Sequence, residues 1–102
     1  MSSIFSSELD IQSMISILRE KMPSIDWRMG DSENLYYGFY VLGHTRNGII
    51  IKIIEEDEPG KFYLGIYIYA TNHNFGSLRR LIVVSVLRHR IMRSIAAKKC
   101  FR

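Results

Sequence analysis

"GIIIKIIEEDEPGKFYLGIYI", residues 48–68, reads as two strands joined by a tight turn. Side chains alternate between the two sides of a strand. Phe62, Leu64, Ile66 and Ile68 therefore share one side. Tyr63, Tyr67 and, further on, Tyr69 share the other, with Gly65 among them. The turn sets the register. A four-residue loop, "DEPG", pairs Glu56 with Lys61 and places Ile53 beside Leu64, Ile51 beside Ile66 and Ile49 beside Ile68. That makes one continuous apolar face, which a one-residue slip would turn outward. Pro59-Gly60 suits the centre of a type II turn, with Gly at the positive-φ position.

The same parity extends toward the N-terminus. "LYYGFYVLG" (35–43) is a strand, and "TRNG" returns the chain into "IIIKIIEE" (49–56). A two-residue Asn47-Gly48 loop would put Ile51 beside His44. A three-residue loop with Gly48 as a bulge puts Val41 beside Ile53 and keeps the apolar face intact. The opposite face then carries rows of Tyr40, Ile54 and Tyr63, of Leu42, Lys52 and Gly65, and of His44, Ile50 and Tyr67, flanked by Tyr36 and Tyr69. "IDWRM" (25–29) alternates Ile25, Trp27 and Met29 against Asp26 and Arg28, which gives a first short strand before the turn "GDSEN".

Helices bracket these strands. Ile11, Met14, Ile15, Leu18 and Met22 fall on one helical face, predicting a helix from about Glu8 to Met22, stopped by Pro23. Ser7 with Asp10 resembles a capping box at its start. A second helix is predicted over 77–99, with Leu81, Val84, Leu87, Ile91 and Ile95 as its stripe. Ile82, Val83 and Val86 lie on its other side among Arg79, Arg90 and Arg93, so its first half is apolar nearly all round and calls for contacts on more than one side. The expected fold is α+β: a single two-layer domain over 1–102, a four-stranded antiparallel meander flanked by an N-terminal and a C-terminal helix, in the order α-β-β-β-β-α.

A length of 102 residues and 47% hydrophobic content suffice for one core without staples. Cys100 is the one cysteine, so no intrachain disulfide forms, and a reducing, cytoplasmic setting is expected. The first ten residues lack a basic region followed by an apolar run, and no segment reads as a membrane span. Charge is unevenly spread. Residues 76–102 hold eight basic side chains and no acid, whereas the rest holds six basic and all ten acidic ones. Such a chain can meet an acidic partner at one end.

No triad, P-loop, dinucleotide fingerprint or zinc spacing occurs, and no cofactor is implied. His44, Lys52 and His73 form a low-ranked candidate for RNA cleavage, as acid, base and phosphate-stabilising cation. The run Glu55, Glu56, Asp57 and Glu58 lacks the alternating oxygen ligands and glycine of a calcium loop, and reads as a hairpin tip or a negative patch for a basic partner. The tyrosine face would suit base stacking or a protein interface, and interface chemistry ranks higher because tyrosine concentrates at interface cores. Arg79, Arg90 and Arg93, interspersed with apolar residues, also read as the rim of a protein contact.

"DWRMGDSENLYYGFYVLG" followed by "GIIIKIIEEDEPGKFYLGIYI" resembles small bacterial immunity proteins of contact-dependent growth inhibition and related polymorphic toxin systems. The resemblance covers about residues 26 to 68. It lies in general character, a helix-plus-meander domain rich in surface aromatics and charge and without catalytic parts, and in no defining motif. It implies a non-enzymatic antitoxin whose partner is a cognate protein toxin, a nuclease, neutralised by occlusion. Partners of nuclease toxins are often acidic, whereas this chain carries +4 overall. The expected contact residues are Tyr36, Tyr40, Lys52, Tyr63, Tyr67 and Tyr69, the acids Glu55 to Glu58, and Arg79, Arg90 and Arg93. A homodimer is a further candidate assembly. The ranked alternatives are a nucleic-acid-binding module using the C-terminal basic helix, then a small RNase toxin.

Overall fold

A computed structural model describes residues 2–31, 38–68, 77–95 and 98–99, with the side chains of 77–80 and 98–99 outside the description. The class is α+β. Strand β1 (Ser2–Ser6) precedes helix α1 (Ile11–Lys21). Strands β2 (Asp26–Asp31), β3 (Phe39–His44), β4 (Ile49–Glu55) and β5 (Lys61–Ile68) follow, then helix α2 (Ser77–Ser94) and the two-residue strand β6 (Lys98–Lys99).

The meander β2-β3-β4-β5 is present, in the expected register. Ile53 pairs with Leu64, Ile51 with Ile66 and Ile49 with Ile68. Val41 pairs with Ile53. Both turns use glycine as the sequence suggests. Gly48 has φ +80° in the loop closed by the Thr45–Ile49 backbone hydrogen bond. Gly60 has φ +82°, and Lys61 N–H donates to the Glu58 carbonyl at 3.1 Å across the turn.

The four-stranded expectation is corrected by the chain ends. Among the described residues the sheet has six strands, in the order β2-β3-β4-β5-β1-β6. Residues 2–6 add to β5 antiparallel, with Phe5 opposite Phe62 and Ile4 opposite Tyr63. Phe5 is fully buried, and its ring stacks on Phe62 at 5.4 Å between centroids. Ser6 and Phe5 then pair with Lys98 and Lys99. The last helix therefore ends at Ser94 rather than Lys99, and the chain returns to the sheet.

Both helices cover one face. Val41, Ile49, Ile51, Ile53, Phe62, Leu64 and Ile66 are buried there against Ile11, Met14, Ile15 and Leu18 of α1 and Val84 and Ile91 of α2. Each such side chain contributes about 1.5–3 kcal/mol through removal from water. The α2 stripe differs from expectation at one point: Leu81 is 59% exposed.

Helix α1 starts later than the capping-box reading has it. Asp10 is the N-cap, and its carboxylate accepts from Ser13 N–H at 2.7 Å. Ser7 serves elsewhere: its hydroxyl accepts from Leu9 N–H and donates to the Ile95 carbonyl, joining the start of α1 to the end of α2. The Ser13 hydrogen bond holds the Asp10 carboxyl below its ordinary value. A depressed carboxyl stabilises the fold above its unfolded pKa and loses that contribution as pH falls through the folded one. Asp10→Asn keeps a cap but removes the titration. Its melting temperature should change little at neutral pH and fall less than that of the parent on acidification below about pH 4. Identical acid limbs for the two proteins, followed by thermal melts, would refute this account.

At the far end of α1, Arg19 donates from Nε (3.2 Å) and Nη2 (2.9 Å) to the Trp27 carbonyl on edge strand β2. Trp27 Nε1 donates to the Met22 carbonyl at 3.0 Å. These two contacts tie the helix C-terminus to the sheet.

Candidate functional site

The sheet face away from the helices carries the predicted tyrosine surface. Tyr40 lies opposite Ile54 and Ile54 opposite Tyr63. Leu42, Lys52 and Gly65 form the next row, and His44, Ile50 and Tyr67 the third. No described element lies over this face; most of its side chains are half-buried, while His44 and Tyr67 (43%) are exposed. The flanking strands widen it. β1 adds Ile4 beside Tyr63, and β2 adds Arg28 beside Leu42 and Gly30 beside Tyr40.

Two glycines flatten the surface. Tyr63 and Tyr67 stand four residues apart on β5, yet their hydroxyls meet at 2.6 Å, with the Tyr67 ring lying along the strand over Gly65. A Cβ at Gly65 would stand 2.5 Å from the Tyr67 hydroxyl. Tyr40 reclines likewise across Gly30, where a Cβ would strike its ring. Lys52 Nζ sits 5.1 Å from the Tyr40 centroid, within cation–π range. A low, broad platform results, with Arg28 held beside it by Asp26 at 3.1 Å.

The shared hydrogen bond with Tyr63 raises the Tyr67 phenol above its ordinary value of 10.0. A raised acid favours the folded state below the unfolded pKa, and that contribution disappears as pH climbs through the folded one. Tyr63→Phe should bring Tyr67 ionisation back toward pH 10.0, read as phenolate absorbance, with the fold intact. An unchanged titration would show that the hydroxyl pair is not formed in solution.

The other predicted residues divide. Tyr36, Tyr69 and His73 lie outside the described residues, as does Cys100. His44 and Lys52 share the open face in adjacent rows, but their proposed third partner is not among the residues described. The acidic run lies at the β4–β5 hairpin tip, with Asp57 and Glu58 exposed. Glu55 accepts from Gly60 N–H at 3.3 Å, inside its own hairpin, and lines a small recess with Asp10 and Met29. Glu58 pairs with Lys61 at 2.8 Å. Arg90 and Arg93 are exposed on α2, on the opposite side of the molecule from the tyrosines, and Arg79 belongs to the same helix with its side chain undescribed.

Away from the tyrosines, Ile82 and Val86 stand exposed on α2, on the side where the sequence places them among arginines. Sequence reasoning missed Met29 and Phe39 (52% exposed), at the helix-side edge of the sheet. Their apolar character was legible, but their exposure depends on where the helices end up. Among the described residues no cluster of three or more His, Cys, Asp or Glu side chains stands close enough to hold a metal, and no helix is long and apolar enough to cross a membrane. Comparison of the chain with models of protein families, with curated proteins and with solved structures gave no match.

Proposed function

We propose that this chain is a non-enzymatic protein-binding module, an immunity protein whose open sheet face docks on a cognate toxin and occludes its active site or substrate groove. One observation carries the reading: Tyr40 and Tyr67 laid across Gly30 and Gly65, with Tyr63 hydrogen-bonded to Tyr67 and Leu42, Ile50 and Ile54 between them, on the side of the sheet that neither helix covers. Rigid aromatics bury much area at little entropic cost, which suits an interface core. Lys52 supplies a cation at its centre and Arg28 one at its margin, so the matching toxin surface carries acids. The basic balance of the chain is compatible with that arrangement.

The test uses the intact chain, tagged and recovered from its native host with bound protein identified by mass. One toxin should be recovered, production of the chain should be harmless, and the chain should protect cells from that toxin. Tyr67→Asp should abolish both capture and protection while the protein stays folded. Salt-steep binding of single-stranded RNA in place of a protein would instead favour the nucleic-acid reading. Toxicity abolished by His44→Ala would favour the RNase.

A further inference from the structure

A groove of about 600 Å³ runs between α2 and the β3–β4 hairpin tip, on the helix side of the sheet and away from the tyrosine platform. Ile25 and Ile49 line it from the sheet side, and Ile82, Val83, Val86 and Leu87 line it from α2. Arg46 from the hairpin and Arg90 from the helix complete its rim, and among the described residues no acid lines it. Neither arginine makes an ion pair with a described residue. Next to it lies a polar recess of about 540 Å³ that shares Ser24, Ile25, Thr45 and Arg46 with the groove and adds Arg19 and His44. Its one acid, Asp26, is already paired with Arg28.

From this juxtaposition we infer that the groove is a docking site for an acidic amphipathic helix of a partner protein, its apolar side chains between α2 and the hairpin and its carboxylates on Arg46 and Arg90. Three features select this occupant. First, Ile82 and Val86 stand one helical turn apart and are 55% and 51% exposed. A thin ligand on the groove floor leaves their tops in water, whereas a helix about 10 Å across covers them. Apolar residues spaced by three or four are the pattern such grooves receive. Second, the charged residues described at the rim, Arg46 and Arg90, are both cations, so carboxylates are the complementary rim on the other side. Third, a second copy of this chain is disfavoured, because residues 76–102 carry eight basic groups and no acid, and two α2 faces meeting would set arginine against arginine. The site is independent of the tyrosine face, so either can fail without the other.

The probe is a synthetic helical peptide of about fifteen residues, long enough for a marginal helix in water. It carries leucine at i, i+4 and i+7, two glutamates flanking that stripe and alanine elsewhere, and is compared with a twin in which both glutamates are lysine. Binding is followed by methyl and amide NMR shifts of the full chain. The acidic peptide should shift Ile25, Ile82, Val83 and Val86 and leave Tyr40 and Tyr67 unmoved, and the lysine twin should not bind. Arg46→Glu with Arg90→Glu should weaken the acidic peptide at least about tenfold and admit the lysine twin. Ile82→Glu should abolish binding. Both arginines and Ile82 are surface-exposed, and an unchanged spectrum outside the groove verifies that each variant is folded. The inference is overturned if both peptides bind alike, if neither binds, if the shifts map to the tyrosine face, or if the free chain proves to be a dimer that Val86→Asp dissociates.

Discussion

Phe5→Ala should cost about 3–5 kcal/mol, a large share of the total stability of a small domain. Phe5 is fully buried and stacks on Phe62 with 17° between the ring planes, so the substitution leaves a ring-sized void under β5. The loss is amplified by position. β1 is the strand that seals β5 from solvent and carries β6 beyond it, so weakening its one fully buried side chain also loosens both outer strands. Ile4 sits next to it in sequence but on the open face, half-buried, and Ile4→Ala should cost far less. Urea unfolding of the two variants checks the contrast. Equal small losses for both would mean that residues 2–6 are not part of the folded sheet.

Trp27→Ala should be about as costly, again about 3–5 kcal/mol. The indole is buried, lies across Gly43 and donates from Nε1 to the Met22 carbonyl at the end of α1. Removing it opens a cavity and also leaves that carbonyl with only the longer 3.3 Å bond from Ile25 N–H. Trp27→Phe separates the two effects. It retains most of the ring but not the donor, and should cost about 0.5–1.5 kcal/mol for the lost hydrogen bond. The fit is tight from below as well: a Cβ at Gly43 would lie 2.6 Å from Trp27 Cζ3 and 3.1 Å from Ile25 Cγ2. Gly43→Ala should therefore destabilise by about 1–3 kcal/mol through overpacking. Chemical denaturation monitored by circular dichroism gives all three values. A Trp27→Phe protein as stable as the parent would remove the hydrogen bond from the account.

The meander was legible because its information is local. Turn lengths at Gly48 and Pro59-Gly60, combined with the two-residue period of a strand, determine which isoleucine faces which leucine. The same parity gave the rows of the tyrosine face. β1 was not legible, because "SSIFS" has two adjacent apolar residues among serines and no alternation. It becomes a strand only by pairing with β5, which lies in the second half of the chain. The start of α1 was misplaced because both Ser7 and Asp10 are good caps, and the choice between them depends on Ser7 reaching Ile95. In α2, periodicity placed Val84 on the inward stripe and Ile82 and Val86 on the far side, as found, but it could not show that Leu81, on the same stripe as Val84, remains in water. The groove beside α2 was not legible, since Arg46 enters it from a hairpin remote in sequence.

The contact between Arg19 and the Trp27 carbonyl has a consequence for self-association. Trp27 lies on the outermost strand with its carbonyl aimed away from the sheet, as are those of Met29 and Asp31 by alternation. An incoming chain seeking to extend the sheet needs that acceptor, and a permanently charged guanidinium already occupies it. Since no accessible pH discharges arginine, acidification does not lift this guard. Fibril growth from β2 would have to begin at the Met29–Asp31 end, where no such plug stands among the described residues.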